Sequence, residues 1–211
     1  MKKLLLAASA LFTMALAFGQ ESKELQGTWF VTSQLGYQQT KTGEVKSTNT
    51  TILPIVGYFV APTTAVGIAA GNVGIKAQDA TKTLANSQLL VIQPLARKYW
   101  NVAGGLFFFG QVAAPIITGK EKISDTKINQ FGLTFAGGFD YLVTKHFSVE
   151  FSYNLINFSQ TTIKPSVGEK TTVTDLSLAH VASVGSEYNS TLAGSMSNAV
   201  TPLSFGFKFL F

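Results

Sequence analysis

The sequence predicts an all-β fold of eight antiparallel strands closed into an up-and-down barrel. Three observations carry this prediction: runs rich in Thr, Val, Ile, Phe and Tyr are separated by Gly, Asn and Pro, no run keeps a helical period, and the connections alternate between short and long. The eight predicted strands are roughly Gly27–Gln38, Thr48–Ala61, Thr64–Lys76, Gln88–Asn101, Gly104–Ile116, Lys127–Val143, His146–Gln160 and Ala199–Phe211.

The lengths of the connections indicate which side of a membrane each end of the barrel would face. Strands two, four and six are followed by the tight turns A-P-T-T, N-V-A-G and T-K-H, whereas strands one, three and five are followed by loops of about ten residues. A long stretch, 161–198, follows strand seven. Short periplasmic turns and longer extracellular loops are typical of outer-membrane barrels. An eight-stranded chain then has both termini on the periplasmic side.

The N-terminus has the organisation of a secretory signal peptide. Two lysines precede the apolar run Leu4–Leu16, and small residues follow it. The apolar run is too short for a comfortable bilayer span, which favours a cleaved signal over an anchor helix. We therefore predict a signal peptide over 1–19 and a barrel domain over 20–211, with cleavage after Ala17 or after Gly19 left open.

Composition excludes several classes of protein. The chain has 16 basic and 11 acidic residues, and loss of the two signal-peptide lysines leaves 14 minus 11, or a net charge of +3. This charge is too mild for nucleic-acid binding, and no basic patch interleaved with aromatics is present. Cys is absent, so disulfide frameworks and thiol chemistry are excluded. Because no other segment approaches 18 consecutive apolar residues, the exported chain is either a soluble β-barrel or sandwich or a membrane barrel.

The two faces of the predicted strands favour the membrane barrel. Large apolar side chains alternate along strands seven and eight, on one face of each: Phe147, Val149, Phe151, Tyr153 and Leu155, then Phe205, Phe207, Phe209 and Phe211. In a soluble barrel this face would line the interior, and the other face would meet water. The other face is full of Gly, Ala, Ser and Thr with few charges, which fits a narrow lumen better than a water-exposed surface. The sequence thus predicts a transmembrane β-barrel.

Four stretches also carry a family resemblance. They are LPIVGYFVAPTTAVGIAAG, QPLARKYWNVAGGLFFFGQ, GGFDYLVTKHFSVEFSYN and the terminal FGFKFLF. In their order and spacing the chain resembles the outer membrane protein β-barrel domain family, the small eight-stranded porin-like barrels of Gram-negative bacteria. The resemblance implies a fold and an outer-membrane location, and it implies no catalytic residues. It also implies lipid bilayer and lipopolysaccharide as surroundings, with barrel assembly machinery and periplasmic chaperones as partners during biogenesis of a monomer.

Four charged residues are expected to meet inside the barrel. Alignment of the strands by their turns puts Arg97, Asp140 and Lys208 on the inner face at nearly one height, with Glu150 close by. An unpaired charge in a narrow lumen is costly, so we predict a network that joins Arg97 and Lys208 to Asp140 and Glu150. The network is interpreted as a structural plug, with a gate for small ions as the alternative.

Aromatic residues are expected at two further kinds of site. An interfacial girdle near the short turns is predicted to contain Tyr58, Tyr99, Trp100, Tyr141 and Phe147. The closing strand carries a predicted assembly signal of Phe205, Phe207, Phe209 and Phe211, where Phe211 resembles the terminal aromatic that barrel assembly machinery recognises in this class.

Two prolines fit poorly inside a closed sheet. Pro54 and Pro94 each lie seven residues before a short turn, within predicted strands. Because proline cannot donate to the ladder, we expect a β-bulge at each.

Enzymatic chemistry finds little support in the sequence. Neither His146, in a tight turn, nor His180, in the long loop, lies near a Ser and a carboxylate at a nucleophile–base spacing. No nucleophile elbow, zincin motif, phosphate loop or dinucleotide fingerprint is present, and no metal-ligand cluster is visible. We therefore expect no enzyme, no cofactor and no metal site.

The function expected from the sequence is that of an outer-membrane scaffold that displays loops outside the cell. The loop 161–198 is either an adhesion or recognition surface or a variable loop with no fixed partner. The alternative function is a narrow porin-like channel for small solutes, and a remoter alternative is a lipid-modifying outer-membrane enzyme.

Overall fold

A computed structural model of the chain describes residues 25–178 and 203–211. The predicted signal peptide, His180 and positions 179–198 of the long loop lie outside these described residues. The described strands are β1 Trp29–Thr42, β2 Val45–Ala61, β3 Thr64–Gln78, β4 Thr83–Ala103, β5 Leu106–Ala113, β6 Ile116–Glu121, β7 Thr126–Thr144, β8 Phe147–Lys164, β9 Thr171–Leu178 and β10 Leu203–Leu210. None of the described residues forms a helix long and apolar enough to cross a bilayer.

The strands form one antiparallel ring with eight positions. Each position pairs with the next along the chain, and β10 closes the ring on β1 through pairs such as Phe30 with Leu210. Two positions are each built from two collinear segments: β5 and β6 both lie between β4 and β7, and β9 and β10 both pair with β8. The predicted eight-stranded up-and-down barrel is confirmed. At the long-loop end the strands from β1 to β8 run further than predicted, and β9 lies in a region that was expected to be loop.

The prolines do not produce the expected bulges. Ile52 pairs with Asn72 and Ile55 with Ala69, so both strands advance by three residues past Pro54. Pro94 pairs in register with Ile68 of β3. On the other side of Pro94 the ladder is interrupted between β5 and β6, and the Pro94 carbonyl still accepts a bond from the Ala114 amide at 3.0 Å. The ladder tolerates the missing N–H by losing pairs locally, without inserting a residue.

A bulge does occur elsewhere, in β8. Ala136 pairs with Asn154 and Phe135 with Ile156, which leaves Leu155 as the extra residue. A residue inserted on one strand changes which side chains face inward beyond it. Inward-facing positions are therefore even-numbered below Leu155, as at Ser148 and Glu150, and odd-numbered above it, as at Ser159 and Thr161.

The outer face carries the large apolar side chains, as the sequence predicted. In β10 the rings of Phe205, Phe207 and Phe209 point outward and are 66%, 53% and 51% exposed, while Lys208 is fully buried. The lumen differs from the expectation of small and polar fillers. Its middle and upper parts are packed with aliphatic side chains, which include Leu53, Ile55, Val73, Ile75, Leu89, Val91, Leu95 and Ile128.

Candidate functional site

The four charged residues predicted to face the lumen are brought together at the short-turn end of the barrel. Arg97 comes from β4, Asp140 from β7, Glu150 from β8 and Lys208 from β10, and each is buried. Alternation along each strand turns these side chains inward, and cross-strand pairing of Asp140 with Glu150 sets them at one height. The cluster holds two positive and two negative side chains, so it is neutral as a unit.

Arg97 is held by a carboxylate on the far wall of the barrel. Its Nη1 donates to Glu150 Oε2 at 2.7 Å and its Nη2 donates to Glu150 Oε1 at 3.2 Å. Its Nε donates to Gln111 Oε1 at 2.6 Å. All three nitrogens of the guanidinium therefore have partners, which is the fork geometry that makes arginine–carboxylate pairs specific in direction as well as charge.

Lys208 joins the second carboxylate to the first. Its ammonium forms an ion pair with Asp140 and lies 3.8 Å from Glu150 Oε2. Glu150 is thus shared between the two cations. The hydroxyl of Tyr99 accepts from both of them, at 3.4 Å from Arg97 Nη1 and 3.3 Å from Lys208 Nζ. The result is one connected network that spans the inside of the barrel.

An aromatic collar surrounds the network. Its inward rings form a chain of contacts with centroids 5.2 to 6.5 Å apart, from Phe30 through Phe59 and Tyr99 to Phe107 and Phe109. The Arg97 guanidinium lies 4.8 Å from the centroid of Phe109, and Lys208 Nζ lies 5.5 Å from that of Phe30. These are cation–π distances, so the collar also interacts with the positive charges.

Glycines make room for the collar. An added Cβ at Gly138 would lie 2.2 Å from the Phe151 carbonyl oxygen and 2.8 Å from the Phe109 ring. An added Cβ at Gly57 would lie 2.1 Å from the Phe30 ring. The rings of Phe30 and Phe109 thus pack directly over backbone, which is how a narrow lumen accommodates several aromatics.

Two polar atoms in this region have no hydrogen-bond partner among the residues that the structure describes. They are Asp140 Oδ1 and Ser148 Oγ, and both are buried. The other Asp140 oxygen pairs with Lys208, so the carboxylate is satisfied on one side only. Arg97 and Lys208 contact more partners than the two acids do.

The structure corrects one member of the predicted girdle. Tyr99 is 1% exposed and faces the lumen, in the charge network. Neighbouring residues of a strand face opposite sides, so Tyr99 and Trp100 cannot both face lipid, and it is Trp100 that does. Tyr58, Tyr141 and Phe147 also face outward near the short turns. Trp29, which the prediction missed, lies beside Tyr58 with ring centroids 4.9 Å apart.

The predicted assembly residues form the seam of the ring. Phe205, Phe207 and Phe209 lie on the outer face of β10, and the Phe209 ring contacts Phe147 of β8 at 5.5 Å. Phe211 follows the strand, and its backbone exchanges two hydrogen bonds with Trp29. The Phe211 amide donates to the Trp29 carbonyl oxygen at 2.9 Å, and the Trp29 amide donates to the Phe211 carbonyl oxygen at 3.1 Å. The last residue is therefore paired with the first strand.

The residues that sequence reasoning missed in the network are polar or aromatic neighbours of the charges. Gln111 is opposite Arg97 in the β4–β5 ladder, and Phe109 and Tyr99 lie on the same inward face as Arg97. The signal that could have found them is the alternation that placed Arg97 inward, applied two residues in either direction and across the adjacent hairpin.

The described residues also bear on catalysis and metal binding. His146 is exposed, and its Nδ1 lies 3.1 Å from the Leu210 carbonyl oxygen. Within 25–178 and 203–211, no group of three or more His, Asp and Glu side chains is arranged to hold a metal ion.

Comparison with known proteins identifies the family of this fold. The sequence profile of the outer membrane protein beta-barrel domain matches residues 4–209. The chain belongs to this family. Outer-membrane β-barrel proteins of bacteria are thus the group in which the fold and the charge network are to be interpreted.

One similar solved structure and one negative result complete the comparison. The crystal structure of the outer membrane protein OprG from Pseudomonas aeruginosa is similar over 92% of this chain and 98% of that one, at 17% identity and a TM-score of 0.47. No curated protein sequence matches the chain significantly.

Proposed function

We propose that this outer-membrane barrel is a closed, non-enzymatic scaffold whose long loops are displayed outside the cell. In this proposal residues 1–19 are the export signal, the short turns and both termini face the periplasm, and the bacterium is Gram-negative. The observation that carries the proposal is the neutral charge network inside the aromatic collar, which fills the lumen at the short-turn end.

The network resists the passage of solutes because its members are desolvated and mutually paired. The side chains of Arg97 and Lys208 are 2% and 1% exposed. A passing ion would have to separate buried ion pairs and displace rings that pack directly over backbone. Eight strands leave an interior wide enough for side chains to fill, and here they fill it.

The opposite end of the barrel has the proportions of a display surface. A transmembrane strand needs about 9–11 residues, whereas β4 has 21 and β7 has 19. The excess lies at the long-loop end, where β9 continues the pairing of β8 as far as Ile163 with Thr171. Strands of this length extend past the hydrocarbon core and support a platform for the loops.

Bilayer conductance tests the closed barrel. Purified protein inserted into planar bilayers is expected to give no steady single-channel steps. The variant Arg97→Ala combined with Tyr99→Ala removes the centre of the network but leaves the aliphatic side chains that fill the middle and upper lumen. This variant and the outward substitution Trp100→Phe are therefore both expected to stay closed. Steady conductance of the unmodified protein would contradict the closed scaffold and would support the narrow porin-like channel.

The non-enzymatic part of the proposal has its own test. Mass spectra of lipid A from cells with and without the protein are expected to be identical. A mass shift that depends on the protein would instead support the lipid-modifying alternative.

A further inference from the structure

Three lysines form a straight row across neighbouring strands on the outer wall. Lys120 of β6 pairs with Lys127 of β7, and Lys127 pairs in turn with Lys164 of β8. Their neighbours Glu121 and Ile128 are buried inside the barrel, so the lysines face outward, and all three are exposed. With strands about 4.8 Å apart, the row spans roughly 10 Å of the wall.

Only one of the three lysines has an anionic partner among the described residues. Lys120 makes a 3.1 Å salt bridge with Asp125, and both side chains are more than half exposed. Among the residues that the structure describes, Lys127 and Lys164 make no salt bridge. Like charges directly opposite one another on a sheet are destabilising. An external anion placed over Lys127 and Lys164 would therefore relieve a repulsion that Asp125 relieves only at Lys120.

The basic surface continues around the barrel into a concavity. Lys120 pairs with Gln88 of β4, and beyond it β2, β3 and β4 form an outward hollow of about 300 Å³. Its outward lining includes Lys46, Thr48, Lys76, Asn86 and Gln88. An added Cβ at Gly74 would meet no atom within 4 Å, so this glycine leaves the floor of the hollow open.

The height of the row relative to the membrane is fixed by the apolar band beneath it. Ile116 and Phe131 are outward, half-exposed and paired with each other, four residues below Lys120 and Lys127. Four residues correspond to roughly 13 Å along a strand. The intervening positions are polar, and Thr118 Oγ1 donates to Asn129 Oδ1 at 2.8 Å. With Ile116 and Phe131 taken as the edge of the hydrocarbon core, the lysines lie at headgroup level, on the long-loop side.

We propose that the surface formed by Lys120, Lys127 and Lys164, with the adjoining hollow at Lys46 and Lys76, binds the phosphorylated sugar headgroup of outer-leaflet lipopolysaccharide. Ammonium groups supply charge to phosphates, and the Thr, Asn and Gln side chains supply hydrogen bonds to sugar hydroxyls. Within 25–178 and 203–211, the short-turn rim offers no matching row: there Lys98 donates to Thr63 Oγ1 at 2.7 Å. The inference rests on the proposed function, because it requires the long loops to face outward.

Lipopolysaccharide retention by the refolded barrel tests the proposal. The variant Lys127→Gln with Lys164→Gln is compared with the matched control Lys98→Gln with Lys145→Gln, which removes equal charge at the short-turn rim. Each headgroup-level lysine is expected to contribute about fivefold to affinity, so the first variant should bind roughly thirtyfold more weakly. The control should bind as the unmodified protein does. Equal binding by both variants would overturn the inference.

Two further binding experiments test which part of lipopolysaccharide the surface binds. Lipopolysaccharide stripped of its lipid A phosphates is expected to bind as weakly as the double variant. Inorganic phosphate at millimolar concentration is expected not to displace the intact lipid. Full displacement by phosphate alone, or undiminished binding of the stripped lipid, would overturn the assignment to a phosphorylated lipid headgroup.

A labelling experiment separates this inference from the proposed orientation. Because the chain has no cysteine, Lys127→Cys and Lys145→Cys each introduce a single thiol. A membrane-impermeant maleimide is expected to label the first variant on intact cells and not the second. That labelling together with unaltered lipopolysaccharide binding would refute the headgroup site and leave the scaffold intact. The reverse labelling would refute the orientation and the headgroup site with it.

Discussion

Arg97 and Glu150 are joined across the inside of the barrel by hydrogen bonds of 2.7 and 3.2 Å, although they lie 53 positions apart in the sequence. Their strands, β4 and β8, are not neighbours in the sheet; the positions of β5/β6 and of β7 separate them. The ion pair is therefore a cross-brace between walls that the ladder connects only indirectly. Its geometry needs the closed ring, so it reports on closure as well as on local packing.

The cross-brace should be visible in a double-mutant cycle. Arg97→Met leaves the buried Glu150 with a single cation to share, and loss of one partner of a buried pair costs about 3–5 kcal/mol. Glu150→Gln in the same chain removes the stranded charge, so the double variant should recover much of the unfolding free energy. Urea unfolding in lipid vesicles measures all four species. A control, Lys120→Gln, removes only an exposed salt bridge and should change the free energy by about 1 kcal/mol or less.

The geometry of the network explains how much of it could be predicted from the sequence. Alternation along the strands and alignment of the short turns are local properties. They were enough to predict that Arg97, Asp140 and Lys208 face inward at one height. Which carboxylate each cation contacts is not local. The pairing of Arg97 with Glu150 depends on the diameter of the ring and on side-chain reach, and no periodicity encodes those.

Other features were predicted wrongly or missed because they depend on whether one strand contains a single extra residue. Leu155 is an extra residue in β8 with no Gly or Pro to mark it, yet it reverses which side chains face inward above it. The opposite error occurred at Pro54 and Pro94, where proline chemistry suggested a bulge. The ladder instead omits bonds and keeps its register, so the missing donor did not require an extra residue.

The corrected position of Tyr99 gives a second prediction. Tyr99→Phe keeps the ring in the collar and removes the hydroxyl that accepts from Arg97 and Lys208. A weakened contact to buried cations should lower the unfolding free energy by about 1–3 kcal/mol. The neighbouring outward substitution Trp100→Phe should change it by about 0.5 kcal/mol or less. Urea titration in one detergent compares the two, and a larger effect at Trp100 would contradict the inward placement.

A third prediction concerns the close packing of the collar on the backbone. Gly138→Ala would bring a methyl within 2.2 Å of a carbonyl oxygen, and the opposing strand cannot move away without loss of its ladder. Overpacking of this kind costs about 1–3 kcal/mol or more. Gly74→Ala, in a strand position with open space, is the matched control and should be neutral. Heat-modifiable mobility on gels measures the fraction folded; equal fractions for both variants would contradict the packing.

The fourth prediction is a pH dependence at the long-loop rim. Glu121 is buried at the β6–β7 turn, and although burial raises its pKa, bonds from the Ser124 hydroxyl and from the amides of Asn86, Ser124 and Ile123 lower it to about 2. A carboxyl with a depressed folded-state pKa stabilises the fold above its unfolded pKa, near 4.5, and loses that contribution as pH falls toward 2. Unfolding free energies between pH 7 and 2 should therefore decline less steeply for Glu121→Gln than for the unmodified barrel. Parallel profiles would show that these bonds contribute no pH-dependent stability.

The last prediction concerns Phe211, which directly follows β10. Phe211 has two separable features, a backbone that exchanges two hydrogen bonds with Trp29 and a ring that is 72% exposed on the outer face. Deletion of Phe211 removes both features, Phe211→Gly keeps the backbone and removes the ring, and Phe205→Leu changes a ring within the same strand. If assembly machinery reads the terminal aromatic, both Phe211 variants should give less assembled barrel in cells than Phe205→Leu, while Phe211→Gly should refold from urea in detergent as the unmodified chain does. If only the backbone seam matters, Phe211→Gly should assemble normally in cells and the deletion should fail in both settings. Equal assembly of the deletion and Phe205→Leu would show that neither the seam nor the ring of Phe211 has a special part in biogenesis.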